Sequence, residues 1–146
     1  MSASDFFTKE QKDLIENAIR EAEHNTSGEI RVHIETEIKG DVLDRAAYLF
    51  EYLGIHKTAA RNGVLFYLAT KSRKFAVLGD AGINAKVPPD FWDQVKETMK
   101  ASFGEGKFAE GLSQGILNAG EHLKKHFPFE KNDINELPDE ISFGKK

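Results

Sequence analysis

RNGVLFYLAT, residues Arg61 to Thr70, and FAVLGD, residues Phe75 to Asp80, decide the fold. Val64 to Ala69 is apolar on both parities, the pattern of a strand covered on both faces. Lys71-Ser72-Arg73-Lys74 is a short polar break, and the second apolar run stops at Gly79-Asp80. Two strands joined by so short a turn run antiparallel. Chain direction alone then returns Asp80 to the sheet edge where Arg61-Asn62-Gly63 begins. A carboxylate, a guanidinium and an amide meet at one edge.

Working outward, EIRVHIET, Glu29 to Thr36, alternates strictly, with Ile30, Val32 and Ile34 on one face and Glu29, Arg31, His33 and Glu35 on the other. This predicts a half-exposed strand. Asp41 is the expected N-cap of a helix with Ala46, Leu49 and Leu53 inward and Gly54 as its stop. Strand, helix, strand at this spacing is a βαβ unit with parallel strands. Upstream, Thr8-Lys9-Glu10-Gln11 fits a capping box, followed by the apolar stripe Leu14, Ile15, Ala18, Ile19 and Ala22. Downstream, Asp90 is the expected N-cap of a helix carrying Trp92, Val95, Met99 and Phe103. A last helix is expected from about Lys107 to Lys125, with Gly111 and Gly115 placed for close approach of a neighbour. The predicted fold class is α/β: a three-layer α/β/α sandwich, Rossmann-like, with a small mixed sheet built on the βαβ unit plus an antiparallel hairpin. One domain is expected over residues 1–128. Residues 129–146 are charged, contain Pro138 and lack periodicity, and so predict a mobile tail contributing little to the core, with Phe129, Ile134, Leu137 and Ile141 as the residues that would dock if it did.

Composition narrows the function. The chain has 146 residues, a net charge of −4 and no cysteine. Its mass is 16.4 kDa and its sequence pI about 5.7. One core suits this size. The acidic balance argues against a nucleic-acid partner. Without cysteine there is no disulfide, thiolate metal site or thiol nucleophile. MSASDFFTKEQK lacks the basic start and long apolar segment of a secretory signal, and no run approaches the length of a transmembrane helix. A cytoplasmic, monomeric protein is the expectation.

Ser27-Gly28-Glu29-Ile30-Arg31-Val32, Arg61-Asn62-Gly63-Val64-Leu65, Gly79-Asp80, Phe91-Trp92 and the Phe108 to Leu123 helix leading to Phe127-Pro128 occur in one order over roughly Thr8 to Pro128. In these features the chain resembles the TPM domain family, known from thylakoid-lumen, bacterial and nematode membrane-associated proteins. The resemblance implies an α/β sandwich and divalent-cation binding, chiefly of calcium. It also implies an unidentified protein partner or membrane complex. Some relatives have been assigned an acid phosphatase activity, and others look like binding modules.

A hard cation takes six to eight oxygens from carboxylates, amides, carbonyls and water. Glu29 and Gly63 share an edge if the first two strands are parallel, and the hairpin returns Asp80 to it. The expected cation set is therefore Asp80 at the centre, Glu29 and Asp93 as carboxylate partners and the Asn62 amide, with Ca²⁺ preferred to Mg²⁺. Arg61 is expected to bind an anion or to pair with Asp80 or Glu29 as a structural ion pair without metal. Asp90 and Asp93 have a second reading as N-terminal groups of a helix. His122 and His126 have the i, i+4 spacing of a metal pair, but Leu-Lys-Lys between them favours a solvated helix end. Gly104-Glu105-Gly106-Lys107 fails the phosphate-loop pattern. For a phosphatase there is no aspartyl-nucleophile or Arg-His-Gly motif, so that activity would need a metal with Arg61. Phe6, Phe7, Phe127 and Phe129 form a partner patch only if exposed together.

Overall fold

The structure is a computed structural model that describes residues 2–130 and 135–144. Helix α1 spans Lys9–Asn25, and its capping box is present, with Thr8 accepting from the Gln11 backbone and Gln11 from that of Thr8. Strand β1 is Glu29–Glu35, helix α2 Val42–Tyr52, strand β2 Gly63–Ala69 and strand β3 Lys74–Gly79. The short helix α3 is Ala81–Asn84, α4 is Asp93–Gly104, α5 is Phe108–Leu123 and strand β4 is Ser142–Phe143.

The four strands form one mixed sheet in the order β3-β2-β1-β4. β1 and β2 are parallel with Glu29 opposite Gly63, and β2 and β3 are antiparallel with Val64 opposite Gly79. Ile30, Val32, Ile34, Val64, Phe66, Leu68 and Val77 pack on one face under α1, α4 and α5. Leu65, Tyr67, Ala69 and Ala76 pack on the other against Ala46 and Leu49 of α2 and against Ile55. The three-layer α/β/α arrangement thus follows from β2 being apolar on both parities.

Several expectations need correction. α4 begins at Asp93, with Trp92 and not Asp90 at its N-cap. Pro88 to Asp90 instead forms turns, with Phe91 N–H donating to Pro88 O at 3.0 Å and Asp93 N–H to Asp90 O at 3.1 Å. Gly111 and Gly115 admit side chains, not a neighbouring backbone: a Cβ on Gly115 would lie 2.5 Å from Met99 Cγ, and one on Gly111 2.6 Å from a Phe103 ring carbon. The four phenylalanines do not form one exposed patch, because Phe7 and Phe127 are buried and only Phe129 is open to solvent.

The largest differences concern β1 and the segment after Pro128. Glu29, His33 and Glu35 are buried, so β1 is covered on both faces despite its alternating pattern. The cover is the C-terminal segment. β4 lies parallel to β1, with Ser142 opposite His33 and Phe143 opposite Ile34. Leu137 and Ile141 are buried in the two core clusters. The expectation that this segment contributes little to the core is therefore corrected for residues 135–144; Ile134 lies outside the described residues. Charge and Pro138 hid the docking because only two spaced aliphatics, Leu137 and Ile141, are buried and the other contacts run through the segment's backbone. Glu29 Oε1 accepts N–H from Glu136 at 2.6 Å and Leu137 at 2.8 Å, and Glu16 Oε2 accepts from Ile141 at 3.0 Å. Arg31 donates to the Glu140 carbonyl. Leu137→Ala and Ile141→Ala should each lower unfolding free energy in urea by about 2–5 kcal/mol, the usual cost of truncating a core aliphatic. Truncation after Pro128 should cost at least as much, and near-zero losses would show that the segment only rests on the surface.

Candidate functional site

Of the residues singled out in the sequence, Glu29, Arg61, Asn62 and Asp80 lie at the amino-terminal edge of β1 and β2 and beside it. Asp80 N-caps α3, its Oδ1 accepting from Ala81 N–H at 2.7 Å. Arg61 grips the same carboxylate as a fork, Nε to Oδ2 and Nη2 to Oδ1, both at 2.8 Å. Burial opposes ionisation of Asp80, but the Arg61 fork and the Ala81 N–H outweigh it and hold the carboxyl below its ordinary pKa. Arg61 adopts the left-handed conformation, φ 52°. Its carbonyl accepts Gly82 N–H at 2.9 Å, a contact so close that a Cβ on Gly82 would fall 2.3 Å from Ala60 O. A strained non-glycine residue persists only where its surroundings fix it, and here the fork and this backbone contact do so.

Asn62 is buried between β1 and the loop before it. Its Nδ2 donates to Ser27 O at 2.7 Å and its carbonyl accepts Glu29 N–H at 3.0 Å. Its Oδ1 is buried with no partner. Glu29 and Asp80 flank Gly63, one across each strand pairing, as Asp80 N–H donates to Gly63 O at 2.9 Å. Ile55 rests on that glycine: a Cβ there would lie 2.5 Å from Ile55 Cγ2. An aliphatic side chain thus stands over the strand between the two acidic positions, and each carboxylate has its own partners. Asp93 is elsewhere. It lines a cleft of about 390 Å³ with Asp90, Phe91, Gln94, His122 and His126, and none of Glu29, Asn62 or Asp80 lines it. In that cleft His122 Nδ1 lies 2.8 Å from Asn118 O, and both histidine rings stand edge-on to Phe91. The structure therefore brings Asp80 to Arg61 and Glu29 to Asn62, but does not gather the four expected ligands around one point. Among the described residues no three His, Asp or Glu side chains converge to hold a metal ion.

Sequence reasoning missed a second group around Glu29. Arg20, Glu23, His24, Thr26, Ser27, Gly28, Glu29, Phe129, Asn135 and Asp139 line a cleft of about 290 Å³ between the end of α1, the start of β1 and the C-terminal segment. Burial, reinforced by the neighbouring Asp139 carboxyl group, pushes the Glu23 pKa up to about 9, against the Ile30 N–H that bonds its Oε2 at 3.0 Å. Glu29 has an acidic neighbour too, Glu136, whose own Oε2 accepts Ala59 N–H at 3.2 Å. Burial pushes the Glu29 pKa up to about 7, with Glu136 adding to the rise and the Leu137 and Glu136 N–H donors opposing it. Arg20 Nε stands 3.9 Å from Asp139 Oδ2 at the rim. One signal was present in the sequence: Glu23 sits in the last turn of the first helix, where the dipole disfavours a carboxylate.

At the opposite end of β1 a buried polar cluster anchors α2 and β4. Glu35 accepts from Tyr67 Oη at 2.6 Å and Arg45 Nε at 2.9 Å, and His33 Nδ1 lies 2.8 Å from Ser142 Oγ. Burial holds the His33 pKa below its ordinary value, so the ring is neutral near pH 7.

No curated protein sequence matches the chain. The solved structures that resemble it include the following three. The NMR structure of BA42 from the psychrophilic bacterium Bizionia argentinensis is 47% identical, covers 96% of this chain and 97% of its own, and superposes with a TM-score of 0.92. The N-terminal domain of a P. gingivalis protein is 21% identical over 85% of this chain and 80% of its own, with a TM-score of 0.70. The N-terminal domain of cg2496 from Corynebacterium glutamicum is 12% identical over 97% of this chain and 82% of its own, with a TM-score of 0.65. At such identities the last two show a shared fold alone. The TPM domain model matches residues 1–122, and with most of its length inside that match the chain belongs to the TPM domain family.

Proposed function

We propose that this TPM domain binds a divalent cation, Ca²⁺ in preference to Mg²⁺, and serves as a binding or regulatory module. The observation that carries the reading is the meeting of the acidic side chains Glu23 and Asp139 in the lining of one cleft, with Glu29 beside them. Like charges side by side repel unless a proton or a cation lies between them. Among the described residues no three carboxyls converge, so a cation at Glu23 and Asp139 takes the rest of its shell from the Asn135 amide, backbone carbonyls and water. Such a mixed, irregular oxygen set suits calcium better than the strict octahedron of magnesium. Of the residues expected from the sequence, Glu29 stays in this reading. Asp80 and Asn62 become parts of the neighbouring edge, where Arg61 already neutralises Asp80. The cation links the end of α1 to the C-terminal segment, and through it to β4.

A phosphatase at the Asp80 edge has less support. Arg61 would have to receive phosphate, and its fork is committed to Asp80. Release of phosphate from p-nitrophenyl phosphate that depends on added metal and is lost in Arg61→Ala would favour that alternative.

The paired carboxyls set the pH dependence. Glu29 and Glu23 have folded pKa values near 7 and 9, above the ordinary 4.5. Between the ordinary and raised values the folded state holds more protons than the unfolded chain, so stability falls as pH rises. In cation-free buffer Tm should therefore decline from pH 5 to pH 9, and Glu23→Gln should flatten that decline. A Tm that rises over this range would defeat the carboxyl pairing.

Ca²⁺ bound to the native state alone, at about a hundred times its Kd, stabilises by about 2.7 kcal/mol, a Tm increase on the order of 5–10 °C. That increase should grow with pH as the cation displaces protons, and calorimetry in buffers of different ionisation enthalpy should detect their release. Glu23→Gln with Asp139→Asn should abolish the increase and Asp80→Asn should leave it. The reverse result would return the cation to the Asp80 edge.

A further inference from the structure

Helix α2 carries three of the large apolar side chains that stand exposed among the described residues: Leu43, Tyr48 and Tyr52, with 52%, 56% and 69% of their surface open. Tyr48 and Tyr52, four residues apart, stack with ring centroids 5.8 Å apart and planes inclined by 15°. At 100° per residue Asp44 and Glu51 fall on the same helix face as this pair, and both are exposed. The sole cation of the helix, Arg45, does not offset them. Its guanidinium is spent on Glu35 while its Cζ lies 5.2 Å from the Tyr48 centroid. The outer face of α2 is thus an aromatic platform with uncompensated negative charge.

We propose that this face docks an arginine-bearing segment of a partner protein. Tyrosine pairs a large rigid contact area with little side-chain entropy, which is why it recurs at interface centres. A planar guanidinium stacks flat on a phenol ring and forks to a carboxylate at once, whereas an ammonium is a compact, strongly hydrated point charge that neither stacks as a plane nor forks. The Arg45–Tyr48 contact shows the platform already accepting a guanidinium from within the chain. Asp44 and Glu51 supply the complementary charge for one from outside. The opposite face of α2 is fixed by Ala46 and Leu49 in the core, so the platform is presented on a rigid element. The surface is independent of the carboxyl cleft.

The test is fluorescence anisotropy with a fluorescein-labelled peptide of four Arg-Gly repeats and its Lys-Gly counterpart. The arginine peptide should bind wild type at least about tenfold more tightly than the lysine peptide, and Tyr48→Ala with Tyr52→Ala should weaken it by at least about tenfold, as for interface hot spots. Asp44→Asn with Glu51→Gln should weaken binding and flatten its salt dependence, while Glu23→Gln, in the cleft, should leave it unchanged. All four side chains are exposed, and unchanged circular dichroism and Tm would confirm that the variants fold. No binding to wild type, equal binding of the lysine peptide, or full binding by the double tyrosine variant would overturn the proposal.

Discussion

The parallel pairing of β1 with β2 is the constraint on which the rest depends. It sets Glu29 against Gly63 and Glu35 against Ala69, and so assigns the two ends of β1 to two different polar clusters. β2 is apolar on both parities and occupies the sheet interior, where helices cover both of its faces. β1 has one such apolar face. Its other face carries Glu29, Arg31, His33 and Glu35, which cannot be buried without partners. α2 and the C-terminal segment provide them. Arg45 and Tyr67 satisfy Glu35, two backbone N–H groups satisfy one oxygen of Glu29, and Ser142 meets His33.

This makes the C-terminal segment part of the fold and part of the site together. Its strand is only two residues long, so ladder hydrogen bonds contribute little of its attachment. Leu137 and Ile141 supply apolar burial, and carboxylates on α1 and β1 receive its backbone donors. The same geometry brings Glu136 and Asp139 against Glu29 and Glu23. Acidic groups crowd at the seam because the segment is rich in them and because the α1 end and β1 start already hold two. A cation in the cleft would relieve that crowding and tighten the seam.

The Asp80 edge shows the opposite balance. There one guanidinium meets one carboxylate in bidentate geometry, a helix N-terminus adds a donor, and the charges cancel locally. Ile55 over Gly63 stands between this pair and Glu29. Two acidic positions that the strand pairings place on either side of one residue thus belong to separate environments.

The sequence by itself determined the α/β sandwich, the βαβ unit with its hairpin, the capping box at Thr8, the cap at Asp41 and the meeting of Arg61 with Asp80. Each depends on local periodicity, on short-range turn and cap chemistry, or on chain direction over a two-strand hairpin. The TPM family features were legible for the same reason. Only the tertiary structure decided that the polar face of β1 is buried, since alternation reports polarity and not the cover a distant segment provides. It also decided that Asp93 lies in another cleft, in the first turn of α4 beside Phe91, His122 and His126. The pairing of Glu23 with Asp139 joins residues far apart in the chain. No periodicity encodes that distance, and it arises only when Leu137 and Ile141 bury themselves and draw their acidic neighbours in with them.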